Sequence, residues 1–444
     1  MESGNNMKKG CFILGIILLL AACSLNELGT SFYAGQEVNL SSSLIYSDNP
    51  QKSKQRISGK DNGDNIDLTW DKGDQILVTV GDQSSVFTLL AGEGTNNAIF
   101  KGIMPADGHH FHVSYPIDYT NEILTNQVYT ANGFGKRLMR MSSKIAGTLD
   151  NGFVLSEDNA VLGLELQGDV NVNKIVLTNN DNQKTYTLDC SANVVNTEEP
   201  TLFYIVVPAG TWTKGFTIEV YNSKGVVIEQ RNKTNAVEFV AGQAMMMPKV
   251  ELYEGIIVNA NGITFKMIKV EGNNYNYLIG QTEVTRALWK AVTGKGNIAS
   301  NIPIDNVTTG ECQQFIHQLN QLTGLSFRFP TNKEWLYAAK GGPHQEDFLY
   351  SGSNNIDEVG WYNGNTTTGT QPVATLKPNA LGIYDMTGNV WEWVTQTNSS
   401  KYQYWGGSYA FNAEQCLLSK AKGTASNSNH TGSIGLRLVL DNRE

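Results

Sequence analysis

PNALGIYDMTGNVWEW, Pro378 to Trp393, gathers a proline, glycines, asparagines, acidic side chains and two tryptophans in one short stretch. The glycine and asparagine content argues against a regular helix or strand. Trp391 and Trp393 are large apolar bodies that must be buried. Gly388-Asn389-Val390-Trp391-Glu392 therefore reads as a compact turn fixed by its own aromatics. Two readings follow. The turn presents carbonyls, an amide oxygen and a carboxylate together, the ligands that calcium takes. Gly388, Asn389, Val390 and Glu392 are then the candidate ligands. Alternatively it is a buried structural knot with a satisfied Glu392.

Three further blocks flank it. Arg328-Phe329-Pro330-Thr331-Asn332-Lys333-Glu334-Trp335 lies upstream, followed by Tyr337-Ala338-Ala339 and Gly341-Gly342. Trp405-Gly406-Gly407-Ser408-Tyr409 and Gly435-Leu436-Arg437-Leu438-Val439 lie downstream. In this order and spacing, residues 262–440 resemble the formylglycine-generating enzyme family, also called the sulfatase-modifying-factor fold. The resemblance implies a C-terminal α+β domain, residues 256–444, of variant C-type-lectin-like fold. It also implies that the Gly388–Glu392 turn corresponds to a family calcium site. A second family calcium site falls near Asn363, but its downstream acidic ligand has no counterpart here.

The same resemblance bears on chemistry. Family enzymes oxidise a sulfatase cysteine with copper held by two cysteine thiolates, soft ligands suited to copper(I). Here Ser408 matches the active-site serine and Cys416 the second cysteine, while Phe411 stands at the first. One thiolate cannot build a two-sulfur site, so copper is not expected and Ser408 and Cys416 read as vestigial. The expected function is non-catalytic: ligand binding, adhesion or envelope assembly, with a glycan or an envelope protein as partner. The alternative is an oxidoreductase of sulfatase maturation with an altered site on Cys416. A related iron-dependent branch needs histidine or carboxylate ligands, and His317, His344 and His430 form no helical metal pattern. Tyr402, Tyr404, Trp405, Tyr409 and Phe411 either line a binding groove or fill the core.

The chain has 444 residues, enough for two or three domains, a net charge of −9 and a sequence pI near 5.3. Its basic residues form no stripe, so nucleic acid is not an expected partner. Lys8 and Lys9 precede an apolar run from Phe12 to Leu20 that ends in Leu20-Ala21-Ala22-Cys23. That run is too short to span a membrane. Its ending resembles a bacterial lipobox, which implies a signal peptide over 1–22 and lipidation of Cys23. The other reading is an ordinary cleaved secretory peptide. Lipidation would place the chain at the cell envelope as an outer-membrane lipoprotein, periplasmic or surface-exposed, held to the membrane without crossing it. An oxidising compartment permits a disulfide. Cys312 and Cys416, both in the C-terminal region, are the plausible pair, and Cys190 reads as a buried small hydrophobe.

Residues 23–58 are polar and aperiodic and read as a tether. From 59 to 250 the pattern is β. Ile76, Val78 and Val80 alternate, as do Leu162, Leu164 and Leu166, Ile175 and Leu177, Tyr186 and Leu188, and Phe216, Ile218 and Val220. Short strands between Gly, Asn and Asp turns predict antiparallel sandwiches. Trp70-Asp71-Lys72-Gly73-Asp74-Gln75-Ile76, Ala98-Ile99-Phe100-Lys101-Gly102, Val206-Val207-Pro208-Ala209-Gly210 and Ala241-Gly242-Gln243 resemble fimbrillin-like lipoproteins of Bacteroidetes. This implies an all-β sandwich that either adheres by strand addition or serves as a spacer. His109, His110 and His112 read as solvated strand histidines. Downstream, Thr285 predicts a helix ending at Gly294. Thr308-x-x-Glu311 and Thr331-x-x-Glu334 are capping boxes for two more, the first stopping at Gly324 and the second running through Ala339.

Overall fold

The computed structural model describes residues 34–44, 70–107, 110–118, 123–130, 138, 140–143, 145–148, 151–191, 195–296, 300–366, 368–399, 401–420, 422–424 and 432–442. Cys23 and the lipobox lie outside these residues, as do His109 and His430. No helix among the described residues is long and apolar enough to cross a membrane.

The first unit is a ring of strands. Glu37–Leu44, expected to belong to a tether over 23–58, is instead a strand that pairs with Asn97–Ile103, and pairing continues through Gln83–Ala91, Gln75–Val80, His112–Tyr115, Met141–Ser142 and Phe153–Glu157. The last strand returns to the first in parallel, with Ser42 opposite Phe153. Alternation sends Ile76, Val78, Phe87 and Phe100 inward, where Trp70 meets Phe100 and Tyr115 edge-on at 4.8 and 5.5 Å. The expected sandwich is corrected here to a closed barrel. Inward–outward alternation is the same in both architectures, and only the parallel closing pair distinguishes them.

The second unit is organised on one long strand, Asn159–Asn179. Its early residues pair with the far end of Val195–Pro208, and its late residues with Thr185–Asp189 and Phe216–Asn222. The sequence suggested two strands, around Leu162 and Ile175. They are one strand, whose pairing slips opposite Gly168. Gly168 has φ +149°, and a Cβ there would come within 2.2 Å of the Leu252 carbonyl. Gly168 is thus an irregularity inside a continuous strand. Leu162, Val172, Ile175, Leu177, Phe203 and Phe216 share one core with Cys190. Among the described residues no α-helix precedes Arg286.

The third unit has a five-stranded antiparallel sheet: Gly255–Ala260, Ile263–Gly272, Tyr275–Gly280, Val439–Asp441 and Phe327–Arg328. A second sheet centres on Trp391–Thr395, flanked by Tyr402–Trp405 and Ile434–Gly435. Helices α1 (Arg286–Thr293), α2 (Thr309–Thr323) and α3 (Asn332–Ala339) begin where their caps predict. Both capping boxes are formed, and Gly294 and Gly324 end α1 and α2 in the left-handed conformation. Cys312, Phe315, Ile316 and Leu319 of α2 are buried, and Trp289 stacks on Phe315 at 4.8 Å. Leu322, in the last turn of α2, is exposed. Cys190, Cys312 and Cys416 are all free thiols, which corrects the suggested Cys312–Cys416 pair. The two lie in different apolar clusters, Cys312 under α2 and Cys416 beside Tyr350 and Ile356.

Candidate functional site

All four sequence blocks converge on Glu392. The strand Thr387–Gly388 runs parallel to Gly360–Trp361, so Gly388 faces the Trp361 backbone. Gly388 has φ +78°, and a Cβ would sit 2.2 Å from the Trp361 carbonyl oxygen. No other residue fits that approach. Asn389 follows at φ +52°. Its Oδ1 accepts from Gln371 N–H at 3.0 Å and its Nδ2 donates to the Gln371 carbonyl at 3.2 Å. Its own carbonyl accepts from Tyr409 N–H at 2.9 Å.

Glu392 and Arg437 are both fully buried. Arg437 Nη2 donates to Glu392 Oε1 at 2.7 Å and its Nε to Oε2 at 2.9 Å. Trp335 Nε1 donates to the same Oε2 at 2.6 Å. The remaining Arg437 donors reach the Gly280 and Tyr384 carbonyls, both at 2.8 Å. Trp335 in turn packs against Trp405 at 5.7 Å, and a Cβ at Gly406 would press on the Trp335 ring. A buried charge is tolerated when paired and fully hydrogen-bonded.

This geometry bears on the two readings of the turn. Both Glu392 oxygens are taken, and a guanidinium stands where a cation would have to approach. The Asn389 amide is spent on Gln371. As placed here, the Glu392 and Asn389 side chains do not fit calcium, which favours the structural-knot reading. Asn363 is exposed, and its N–H donates to the Phe411 carbonyl at 3.0 Å. Among the described residues no three His, Cys, Asp or Glu side chains gather into a metal-holding group. His110, His112, His317 and His344 are exposed.

Phe411 and Cys416 go separate ways. Phe411 lies edge-on to Trp391 at 5.4 Å, on the side of the core that holds Trp393. Cys416 is fully buried against Tyr350, Ile356 and Val359. Burial pushes its thiol up to about 11, against a smaller opposing pull from the Ser408 backbone N–H. At neutral pH it is a thiol, not the thiolate that metals and electrophiles need. Gly407, at φ +84°, leaves room for it: a Cβ there would sit 2.4 Å from Cys416 Sγ. Ser408 is fully buried, and its Oγ accepts from Ala410 N–H at 3.4 Å. Tyr402 and Tyr404 meet Trp393 at 6.5 and 6.0 Å, and Tyr402 meets Phe329 at 5.3 Å. Of the aromatics read as a groove or as core, Trp405 is buried, Tyr402, Tyr404 and Phe411 pack half-buried against the core, and Tyr409 is half-buried.

Residues 193–442 match the sulfatase-modifying factor enzyme 1-like domain, FGE-sulfatase. The chain belongs to that family. The FGE-sulfatase match starts inside the second β unit, ahead of the domain start expected at 256. One curated relative is chaperone protein LppX of Paenibacillus barcinonensis, 47% identical over 90 residues, 16% of this chain and 32% of that one. Another is the formylglycine-generating enzyme of Thermomonospora curvata, 32% identical over 128 residues, 25% of this chain and 39% of that one. The chain thus spans roughly a third to two fifths of the length of these two relatives. Among solved structures, it is similar to a fimbrial protein from Bacteroides ovatus, at 10% identity and TM-score 0.25, over 92% of this chain and 100% of that one.

Two acidic residues near the site escaped the sequence reading. Glu283 is buried, and neither of its carboxyl oxygens has a protein hydrogen-bond partner. Burial, then the neighbouring Asp385, pushes its carboxyl well above the usual range. Asp385, at φ +59°, accepts from Ala374 N–H at 2.8 Å through Oδ2, while Oδ1 has no partner. Its carboxyl is pushed up to about 6, chiefly by burial. Glu283 sits in Gly280-Gln281-Thr282-Glu283-Val284-Thr285, where no pattern marks it as buried.

Proposed function

We propose that the chain is a non-catalytic member of its family, a binding or adhesion protein of the cell envelope. The observation that carries this reading is Phe411. It stands at the position of the first copper-binding cysteine and is packed on Trp391. The remaining thiol, Cys416, is buried and protonated at neutral pH. A two-thiolate copper site needs both sulfurs ionised and facing one another. A rigid domain stiffened by the Glu392–Arg437 pair remains able to present loops to a partner.

Attachment as an outer-membrane lipoprotein through Cys23 is supported by the Leu20-Ala21-Ala22-Cys23 sequence. A glycan or an envelope protein is the partner class. The deciding experiment incubates the full chain with copper and a peptide carrying the sulfatase cysteine motif. No formylglycine is expected, and its appearance by mass spectrometry would overturn the reading in favour of an oxidoreductase built on Cys416.

A further inference from the structure

A cavity of about 780 Å³ opens where the second unit meets the third. Pockets of this size accept small organic ligands. One wall comes from the strand Val227–Lys233 and Tyr253, the other from Lys266, Gln281 and Tyr384. None of the residues around Ser408 and Cys416 borders it.

Glu229 is a single carboxylate facing two cations: Lys266 Nζ at 2.6 Å and Arg231 Nε at 2.9 Å. Lys266 and Glu229 are buried, whereas Arg231 is half exposed to the cavity mouth. Only the Nε of Arg231 is engaged, so its two terminal amino groups have no acceptor among the described residues. The hydroxyls of Tyr253 and Tyr384, which border the same cavity, have none either. Burial raises the Tyr384 phenol; Arg231 opposes that shift, and Glu229, Asp385 and Glu251 add to it. The other ion pair at the wall, Lys249–Glu251 at 2.9 Å, is neutral. Glu283, whose carboxyl is raised by burial and then by Asp385, also borders the cavity.

We propose that this cleft binds a small polar molecule bearing a carboxylate or a phosphate. Arg231 grips the acid with its free fork, and Tyr253 and Tyr384 donate their hydroxyls. A planar guanidinium with two unused amino groups matches either anion in a bidentate geometry. The volume beyond the anion is bordered by Gln281 and Thr282, which suits a hydroxylated body such as an acidic sugar or a sugar phosphate. This rests on the reading of the chain as a binding protein and names where it binds.

The test is calorimetric titration of the full chain with three probes: glucuronate, glucose 1-phosphate and glucose. At least one acidic probe should bind and glucose should not. A response to glucuronate alone assigns a carboxylate, and to glucose 1-phosphate alone a phosphate. Arg231→Gln should weaken the acidic probe by about tenfold or more, the loss expected for one charged hydrogen-bond pair. Tyr384→Phe should weaken it less. Lys266 still pairs with Glu229 in Arg231→Gln, so that variant keeps its buried carboxylate compensated, and circular dichroism checks its fold. If it misfolds, Tyr384→Phe carries the test. Equal binding of glucose, no binding of any probe, or unchanged affinity in the folded variants would overturn the proposal. Formylglycine formation would instead overturn the non-catalytic reading and leave the cleft as it is.

Discussion

Arg437 and Glu392 form a fully buried ion pair, with Arg437 Nη2 2.7 Å from Glu392 Oε1 and Trp335 Nε1 closing the remaining oxygen at 2.6 Å. The pair ties the signature turn, the third helix and the segment leading into the last strand into one network. Removing one partner leaves the other charge buried and alone.

Arg437→Ala and Glu392→Ala should each lower unfolding free energy by about 3–5 kcal/mol. Glu392→Gln should cost less, because it still accepts from Trp335. Urea denaturation of the full chain, followed by tryptophan fluorescence, measures this. A loss under about 1 kcal/mol in both alanine variants would show that the pair is dispensable.

Asp385 sets a pH dependence. Its carboxyl moves from 3.8 to about 6 on folding, so the folded chain holds a proton that the unfolded chain releases. Its contribution is therefore complete below about pH 4 and is lost as pH rises through 6. Comparing wild type with Asp385→Asn over that window isolates it from other carboxylates. The stability difference should shift in favour of the variant as pH rises, and a flat difference would refute the assignment.

Gly388→Ala forces a side chain onto the Trp361 carbonyl in a left-handed backbone conformation. A loss of about 1–3 kcal/mol is expected from backbone strain, with more from the displaced strand pair. Thermal unfolding of the variant should fall accordingly. A midpoint equal to wild type would mean the Gly360–Trp361 pairing is absent in solution.

The three thiols of the described residues should resist alkylation. Burial pushes Cys416 up to about 11 and Cys190 up to about 12, and it raises Cys312 as well. Iodoacetamide at neutral pH should leave them unmodified until denaturant is added, as read by peptide mass spectrometry. Rapid labelling of Cys416 in the native chain would contradict its burial.

Much of the third unit is legible from local chemistry. Thr285, Thr308 and Thr331 mark helix starts because capping depends on a few adjacent residues. The inward alternation of Ile76, Val78 and Val80 is equally local. Closure of the barrel is not, since it depends on Ser42 meeting Phe153 across most of the unit. The fate of Glu392 was open for the same reason: Arg437 and Trp335 are remote in sequence, so a ligand and a satisfied ion-pair partner look alike. Glu283 and Asp385 carried no signal, because burial of an acid is set by what packs over it.

The ammonium of Lys266 and the carboxylate of Glu229 belong to different units, yet they are 2.6 Å apart. Tyr253 likewise lays its ring over Gly382, where even a methyl group would collide with it at 2.4 Å. A fragment severed near residue 255 would carry a stranded cation on its flank and a bare glycine where an aromatic lid had been. The last two units are better handled as one body, and a truncation meant to isolate the C-terminal piece should begin upstream of Glu229.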